Sequence, residues 1–383
     1  MASVDMTRPG NAHTRLLVLS PYLPPHAGGV ERTTSWIVES MAERGFSVRT
    51  FGHDIAPGTG DGIWPSLGAP IGIPIPRPSI RQWYHLRMEL RQADVVLIQN
   101  AFWPLSNMTG VAAGIERRPA ITLVHANAAL PTQHEPFALR MVESAHAHTI
   151  ARWQFRYAPP LAIGPSSQQF IESHYGLQAR ILPLPLPDNL PRVRESNQPR
   201  NPLKVVFSAR LAPAKAPEHA IHACSIARET IPLTLDIYGD GPLLATTKES
   251  APNWVQFHGG QSWESAVRHV ANADVFLSSS RTDNAQLSLL EAIALGVPSV
   301  ATNVGDATIY MDGVLREALA PPEDPVALAE RLIRVAANYA FFQRATLDQA
   351  IILRARHTSM NSGNLLSEYF HDAISDHGNR VSP

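Results

Sequence analysis

The sequence predicts an α/β protein built from two Rossmann-like, doubly wound domains that face a cleft between them. Short apolar runs alternate with helical patterns in the first half, and the alternation restarts after a proline-rich stretch at 182–202. Buried strands that alternate with helices indicate βαβ units and parallel sheets covered on both faces. The length of 383 residues also suits two domains of about 150–200 residues better than one.

The first domain is predicted to span residues 1–190. Its strands are expected at five short apolar runs: LLVLS (16–20), SVRTFG (47–52), ADVVLIQ (93–99), ITLVHA (121–126) and LAIG (161–164). The first run leads into GGVERTTSWIVESMAERG (28–45), whose apolar spacing is typical of an amphipathic helix. Turns between such strands and helices lie where doubly wound sheets bind their ligands.

The second domain is predicted to span residues 191–359, after a linker and hinge at 182–202. Its strands are expected at LKVVFSA (203–209), LTLDIYG (233–239), WVQFHG (254–259), ADVFLSS (273–279) and PSVAT (298–302). Helices are expected around 324–338 and 340–356. A last helix at 360–376 is expected to pack back on the first domain.

Composition excludes several classes of partner and compartment. The net charge of −1 gives no global field that would attract nucleic acid or an anionic membrane. A single cysteine, Cys224, excludes an internal disulfide framework. The sequence shows no signal peptide and no run of about 18 apolar residues. We therefore expect a cytoplasmic protein, and we keep open a peripheral contact with the inner face of a membrane.

Two strand ends carry groups suited to phosphate. Gly28 and Gly29 follow the first strand and precede a helix, where backbone N–H groups and the helix dipole favour an anion. Arg210 and Lys215 follow the first strand of the second half, and two such cations suit a diphosphate. A plain tight turn and two ordinary surface cations remain the alternatives. Dinucleotide and P-loop fingerprints are absent.

Two further strand ends point toward the predicted cleft. The turn IYGDGP (237–242) contains Gly241, and His125 directly follows ITLV. Ordinary turn chemistry and a structural histidine are the alternatives.

The sequence indicates neither a metal nor a cofactor. No D-x-D motif is present, and the histidine pairs lie on helical patterns with no third ligand (His146/His148 and His219/His222).

The stretch SSSRTDNAQLSLLEAIALGVPSVAT (278–302) places Asp283 and Glu291 eight positions apart across the start of a predicted helix. One acid near a helix start is explained by the dipole. The pair, taken with the other motifs, requires a further explanation.

Taken in order along the chain, these motifs resemble the retaining glycosyltransferases of family 4, which have the GT-B fold. The resemblance comprises P-x-x-G-G ending at Gly29, the strand-end His125, A-R-L-x-x-x-K ending at Lys215, G-D-G-P, F-x-G, and acid-x7-Glu. The last motif continues as E-A-I-A-L-G-V-P-S-V-A-T, which is the most specific part.

The resemblance implies roles for the motif residues. Glu291 would bind the ribose of a nucleotide-sugar donor, and Asp283 would contact the sugar. Asn284, Gln286 and Leu287 would line the donor between the two acids. Donor binding by Gly28, Gly29 and Gly241 follows from the same likeness. So do catalytic roles for four residues: Arg210, Lys215, Asp283 and His125. It also implies transfer with retention to an acceptor hydroxyl, in the synthesis of a polysaccharide, glycolipid or glycoconjugate.

The chain departs from the usual family pattern at three places. Asp283 replaces the usual glutamate, Ala285-Gln286 replaces Phe-Gly, and Ala216 replaces a glycine. The Asp-Asn form resembles colanic-acid-type members. Two alternatives stay open: a non-catalytic protein that binds nucleotide sugar, and a sugar-nucleotide epimerase. The donor sugar and the acceptor are not determined. A basic, aromatic segment at 136–158 is expected to contact either a membrane or its own domain.

Overall fold

The computed structural model describes the chain over residues 13–20, 29–54, 63–65, 80–100, 104–125, 147–191 and 198–381. The chain divides into two compact units. The first comprises residues 1–122, 153–159 and 365–383, and the second comprises 123–152 and 160–364. The domain boundary predicted at residue 190 is not decided by this division, and it stays a prediction.

The first sheet has seven strands in the order β3-β2-β1-β4-β5-β6-β7. They are β1 (Arg15–Ser20), β2 (Ser47–Asp54), β3 (Ile63–Pro65), β4 (Val95–Gln99), β5 (Ala120–Val124), β6 (Pro160–Ala162) and β7 (Arg180–Ile181). β1 pairs in parallel with β2 and with β4. The five strands expected in this half are confirmed.

The second sheet has six strands, all paired in parallel, in the order β10-β9-β8-β11-β12-β13. They are β8 (Leu203–Ser208), β9 (Leu233–Tyr238), β10 (Val255–Phe257), β11 (Val275–Ser278), β12 (Ser299–Thr302) and β13 (Leu319–Ala320). The direction in which strands are added reverses between β8 and β11. Such a switch point opens a crevice at the carboxyl ends of the two strands.

Thirteen α-helices lie within the described ranges. They are α1 (Gly29–Glu43), α2 (Ile80–Gln92), α3 (Pro104–Ile115), α4 (Arg152–Tyr157), α5 (Pro165–Tyr175), α6 (Pro217–Ala227), α7 (Leu244–Ser250), α8 (Trp263–Ala271), α9 (Leu287–Ala294), α10 (Ala307–Tyr310), α11 (Pro325–Ala337), α12 (Tyr339–Arg356) and α13 (Ser359–Val381). A π-helical turn (Ala147–Ala151) and two 3₁₀ turns (Pro213–Lys215 and Gly313–Ala318) complete the set.

In both sheets, an aspartate just before a central strand accepts a hydrogen bond from the backbone of the neighbouring strand. The Ala-Asp-Val sequence before β4 places Asp94 where its Oδ2 accepts from the backbone N–H of Arg15 at 2.8 Å, at the start of β1. The same three residues before β11 place Asp274 where its Oδ2 accepts from the N–H of Lys204 at 2.9 Å, in β8. Each carboxylate therefore pairs a backbone donor at the edge of the sheet opposite the predicted ligand site.

Each unit has its own apolar core. In the first unit, the core packs Leu17, Phe51 and Ile98 of the sheet against Leu86 of α2. Phe370 of α13 contacts Phe46 edge to face in the same unit, with ring centroids 5.8 Å apart. In the second unit, strands β8 to β13 pack on both faces against helices that surround the sheet.

The described part of the predicted linker differs from a solvated hinge. Its leucines alternate with prolines, and Leu182, Leu184 and Leu186 are all buried. The N–H of Leu186 donates to the carbonyl of His357 at 2.8 Å, and the His357 ring pairs with the carbonyl of Leu184 at 2.9 Å. The described part of this segment is therefore packed against the protein, and its role as a linker between two domains stays a prediction.

Candidate functional site

Two loops meet at the switch point of the second sheet. The Lys215 loop (209–216) follows β8, and the Asp283 loop (279–286) follows β11. Because β8 and β11 are parallel neighbours, both loops leave the sheet at the same edge. The fold therefore brings the predicted phosphate cation Lys215 close to the first acid of the acid-x7-Glu motif.

Lys215 and Asp283 pair directly. The Lys215 Nζ donates to Oδ2 of Asp283, and the other oxygen of this carboxylate accepts from the N–H of Asn284 at 2.9 Å. The two side chains are 27% and 18% exposed. Water and salt therefore screen this pair less than they screen a fully exposed pair, which typically contributes about 0–1 kcal/mol. The cation assigned to the diphosphate and the acid assigned to the sugar are thus adjacent groups of one site.

Arg281 fixes the shape of the Lys215 loop from behind. Its Nη1 donates to the carbonyl of Pro213 at 2.6 Å, and its backbone N–H donates to the carbonyl of Ala214 at 2.8 Å. The hydroxyl of Ser279 donates to the carbonyl of Ala216 at 2.8 Å. Neither Arg281 nor Ser279 was predicted as a site residue, although each lies within the hydroxyl-rich stretch that follows β11.

The charge of Arg281 is balanced on its other side. The guanidinium contacts Glu218 at 2.5 Å and Glu323 at 2.9 Å, and it is only 10% exposed. Burial, aided by this guanidinium, lowers the pKa of His219 below its ordinary value. His219 is therefore a neutral neighbour of Arg281 at physiological pH.

Two helices begin at this edge from residues in the left-handed backbone region. Ala216 (φ 45°) precedes α6, and Gln286 (φ 35°) precedes α9. Neither supplies a side-chain cap. The first N–H groups of a helix have no partner inside the helix, so an uncapped start can donate to an anion. Leu287, the first residue of α9, contributes one of these groups.

Gln286 directs its side chain into the protein. The residue is 2% exposed. Its Oε1 accepts from the Ser278 hydroxyl at 3.2 Å, and its Nε2 donates to the carbonyl of Val304 at 2.6 Å. The predicted contact between this amide and a sugar would require the side chain to leave both partners. In the structure the amide instead anchors the Asp283 loop.

Asn284 and Asp306 join the Asp283 loop to its surroundings. The Asn284 Nδ2 donates to the carbonyl of His125 at 2.9 Å, and the Asn284 carbonyl accepts from the N–H of Asp306 at 2.7 Å. The buried Asp306 carboxylate accepts from the hydroxyl of Ser166 at 2.5 Å and from its N–H at 2.9 Å. Desolvation raises the pKa of Asp306, against the opposing effect of these hydrogen bonds. Sequence reasoning missed Ser166 and Asp306, whose pairing depends only on tertiary proximity.

His125 is neutral over the physiological range. Desolvation lowers the pKa of its ring to about 4, although the residue as a whole is only partly buried. A neutral imidazole can donate from one nitrogen and accept at the other. The carbonyl of His125 is the atom that contacts the Asp283 loop, and the catalytic role assigned to the ring stays a prediction.

Glu291 is oriented by an indole. The Nε1 of Trp263, the first residue of α8, donates to Oε1 of Glu291 at 3.0 Å. Glu291 lies on α9 and is partly buried. A carboxylate held at a fixed position on a rigid helix suits recognition of a pair of hydroxyls. Trp263 is a further residue that sequence reasoning did not identify.

The remaining predicted residues have different surroundings. Gly241 (φ 153°) lies so close to the Lys215 loop that a Cβ there would be 2.4 Å from the Leu211 carbonyl oxygen. Arg210 is exposed, and its side chain makes no hydrogen bond or ion pair within the described ranges. Gly29 is the first residue of α1. Gly28 lies outside the described residues.

The described part of the chain contains neither a cluster of metal-binding side chains nor a membrane-spanning helix. Within it, no group of three or more histidine, cysteine or acidic side chains could hold a metal ion. None of its helices combines the length and the apolarity needed to cross a bilayer.

Several known proteins are similar to this chain. Residues 202–338 match the family described as "Glycosyl transferases group 1". The GtfA subunit of a UDP-N-acetylglucosamine–peptide N-acetylglucosaminyltransferase from Streptococcus pneumoniae is 28% identical over 144 residues, 36% of this chain. A GDP-mannose-dependent alpha-(1-6)-phosphatidylinositol monomannoside mannosyltransferase from Mycobacterium tuberculosis is 36% identical over 116 residues, 27% of this chain. The matched segments span only 28% and 30% of those relatives' own lengths.

Several solved structures match nearly the whole chain. Anabaena Alr3699/HepE, in complex with UDP and glucose, superposes with a TM-score of 0.72 at 16% identity. The match covers 94% of this chain and 100% of that chain. The chain therefore has the GT-B fold predicted from its motifs, and its residues 202–338 match the group 1 glycosyl transferases.

Proposed function

We propose that this chain is a retaining, metal-independent glycosyltransferase of family 4. It moves a sugar from a nucleoside diphosphate sugar to an acceptor hydroxyl. The observation that supports this most directly is the meeting of Lys215, Asp283 and two uncapped helix starts at one sheet edge. Group 1 similarity over residues 202–338 supports the same function. The names of the relatives indicate donors of the UDP-sugar and GDP-mannose kinds.

In the proposed reaction, positive charge develops on the sugar and negative charge on the leaving diphosphate. Lys215, Arg210 and the N-termini of α6 and α9 stabilise the diphosphate as it departs. One such contact typically contributes about 2.7–4 kcal/mol to the transition state. The departing phosphate deprotonates the acceptor hydroxyl on the same face of the sugar, which gives retention, so no separate base is assigned. Glu291 binds the ribose, in an orientation fixed by Trp263.

We also propose that the protein is cytoplasmic and works at the inner face of a membrane, on a saccharide or lipid-linked acceptor. The support comes from α4, where Trp153 is 49% exposed and Tyr157 is 40% exposed. The rings of these two residues contact each other, with centroids 5.9 Å apart, and the exposed Arg156 lies between them in sequence. Aromatic rings beside a cation suit an interface with anionic lipid headgroups. Residues 136–146 of the predicted amphipathic segment lie outside the described residues.

Donor turnover tests the function and separates it from its rivals. The protein is incubated with UDP-glucose, UDP-N-acetylglucosamine or GDP-mannose, each with a membrane lipid extract as acceptor, with and without excess EDTA. Release of nucleoside diphosphate with formation of an α-linked glycoside, undiminished by EDTA, is expected. A strict Mg²⁺ or Mn²⁺ requirement would contradict the metal-independent mechanism. An isomerised sugar nucleotide would indicate an epimerase. Thermal stabilisation without turnover would indicate a binding protein, since ligand at 100 Kd adds about 2.7 kcal/mol.

A further inference from the structure

The side-chain amide of Asn284 has a fixed orientation. Its nitrogen lies 2.9 Å from the carbonyl oxygen of His125. That carbonyl can only accept a hydrogen bond, so the atom facing it must be the NH₂ group. The amide oxygen, Oδ1, therefore points away from His125, and its position follows from the contact rather than from an arbitrary choice of rotamer.

This Oδ1 is buried without a partner. Asn284 is 5% exposed, and within the described part of the chain its Oδ1 accepts no hydrogen bond. An unsatisfied buried acceptor costs about 1–3 kcal/mol. Buried polar atoms are otherwise almost always paired, so each exception requires an explanation.

Three polar side chains of the Asp283 loop are engaged. Both carboxylate oxygens of Asp283 accept hydrogen bonds, and both ends of the Gln286 amide are bonded. The hydroxyl of Ser279 donates to backbone carbonyls of the Lys215 loop. The Asn284 Oδ1 is thus an exception beside three satisfied side chains, which points to a partner that the described residues do not supply.

The surrounding charges decide what kind of group fits there. Asp283 is adjacent in sequence, and the Asp306 backbone bonds the Asn284 carbonyl. Desolvation raises the pKa of Asp306, and the charge of Asp283 adds a smaller effect in the same direction. An amide oxygen can only accept a hydrogen bond, so it cannot bond a deprotonated phosphate oxygen. The Asp283 carboxylate, which accepts from the Asn284 N–H at 2.9 Å, also disfavours an anion here, so the fitting group is a neutral donor such as a hydroxyl or an amide N–H. The sugar ring of a nucleotide sugar offers such groups, whereas its diphosphate does not.

We infer that Asn284 is a specificity-determining residue whose Oδ1 accepts a hydrogen bond from one hydroxyl or N–H group of the donor's sugar. This inference rests on the proposed function, and it adds that the Asn284 side chain recognises the sugar of the donor. Sites built to bond a hydroxyl discriminate strongly against analogues that lack it, because the buried group is then left unpaired. Asn284 therefore selects among sugars, while Lys215 and the helix starts serve every nucleoside diphosphate alike.

The test removes the sugar's hydroxyls one at a time. UDP-glucose, UDP-N-acetylglucosamine and GDP-mannose are compared with their monodeoxy forms at each ring position, and kcat/KM is measured for wild type and for Asn284→Ala. In wild type, loss of one particular hydroxyl or N–H should reduce kcat/KM by roughly tenfold or more. In Asn284→Ala, the same deletion should cost less than about threefold, while deletions elsewhere on the ring keep their wild-type effect.

Two variants guard against a loss of folding or a general defect. Asn284→Asp keeps an acceptor oxygen but loses the NH₂ donor to the His125 carbonyl, so its hydroxyl preference should lie between those of wild type and Asn284→Ala. Asn272→Ala makes the same chemical change at an exposed position at the C-terminal end of α8 and should retain the full preference. Equal sensitivity to every deletion in wild type and Asn284→Ala would overturn this inference while leaving the proposed function standing. Failure of wild type to turn over any of the three parent donors would overturn both.

Discussion

Lys215→Ala should weaken the binding of UDP and GDP by more than the loss of one cation. The variant removes the proposed donor to the diphosphate, and it also leaves the Asp283 carboxylate without its cationic partner. That carboxylate would then repel the diphosphate. Adding Asp283→Asn to the Lys215→Ala background removes the repulsion and should restore part of the affinity, although it restores no contact.

The structure bounds the size of both effects. A hydrogen bond to a charged group contributes about 1.5–3 kcal/mol. Two unit charges about 4 Å apart interact by about 1 kcal/mol in water and about 4 kcal/mol at an effective dielectric of about 20. Side-chain exposures of 27% and 18% favour the lower half of this range, about 1–2 kcal/mol. Lys215→Ala should therefore weaken binding by roughly 70- to 5,000-fold, and the second substitution should recover about 5- to 30-fold.

Calorimetric titration of UDP and of GDP into the four proteins of the cycle measures these effects at moderate salt. Asp283→Asn alone should leave nucleoside diphosphate affinity near or above that of wild type, while donor turnover falls. Lys204→Ala is a matched control, because Lys204 pairs with Asp236 at 3.5 Å with similar exposures of 28% and 14%. It lies in β8, away from the carboxyl edge, and should leave both affinities unchanged.

Two results would refute this reasoning. If the double variant binds UDP and GDP as weakly as Lys215→Ala, the unpaired carboxylate is not the source of the extra loss. If Asp283→Asn alone weakens binding as much as Lys215→Ala, the acid lies against the diphosphate rather than the sugar.

Three other substitutions test separate parts of the site. Trp263→Phe removes the donor to Glu291 and should weaken UDP or GDP binding by about 2- to 10-fold in calorimetry. Glu291→Gln should weaken that binding further. An unchanged Kd in Trp263→Phe would exclude an orienting role for the Trp263 indole. Gly305→Ala should lower the melting temperature far more than Gly313→Ala. Both glycines have left-handed backbone (φ 56° and φ 58°), so both variants incur a strain of about 1–2 kcal/mol. Only at Gly305 would the new Cβ clash, 2.1 Å from a backbone oxygen, so equal losses would contradict this close approach. Since the pKa of His125 is depressed to about 4, the unfolded chain protonates first as pH falls from about 6.5. Wild type should therefore lose stability between about pH 6.5 and about pH 4, and His125→Gln should lose less in denaturant titrations; identical slopes would count against a desolvated ring.

The strands were predictable where burial on both faces produced a continuous apolar run. Strands β8 and β11 are examples, since every position of VFLS in β11 is buried. The short strands β3, β7 and β13 span only two or three residues, too few to form a pattern. The packing of the proline-rich segment was equally hidden, because the Leu184 carbonyl pairs with the ring of His357, which lies far away in sequence.

The sequence identified motif residues for the candidate site, but not the groups that surround them. Lys215, Asp283 and Glu291 could be named because each occupies a fixed position relative to a predicted strand or helix. The groups that orient them could not, because Arg281 and Trp263 act through contacts that sequence spacing does not encode. The direction of a side chain is equally hidden, as Gln286 illustrates by turning its amide inward.

The left-handed backbone at Ala216 and Gln286 also limits which substitutions each position can accept in evolution. A β-branched residue is strongly disfavoured at both, whereas glycine would relieve the backbone strain of about 1–2 kcal/mol. At position 216 that replacement would remove only a methyl group, so glycine should be tolerated freely. At position 286 it would also delete the amide that bonds Ser278 and Val304. Two positions with the same backbone conformation should therefore accept different mutations, one open to glycine and the other confined by its own side chain.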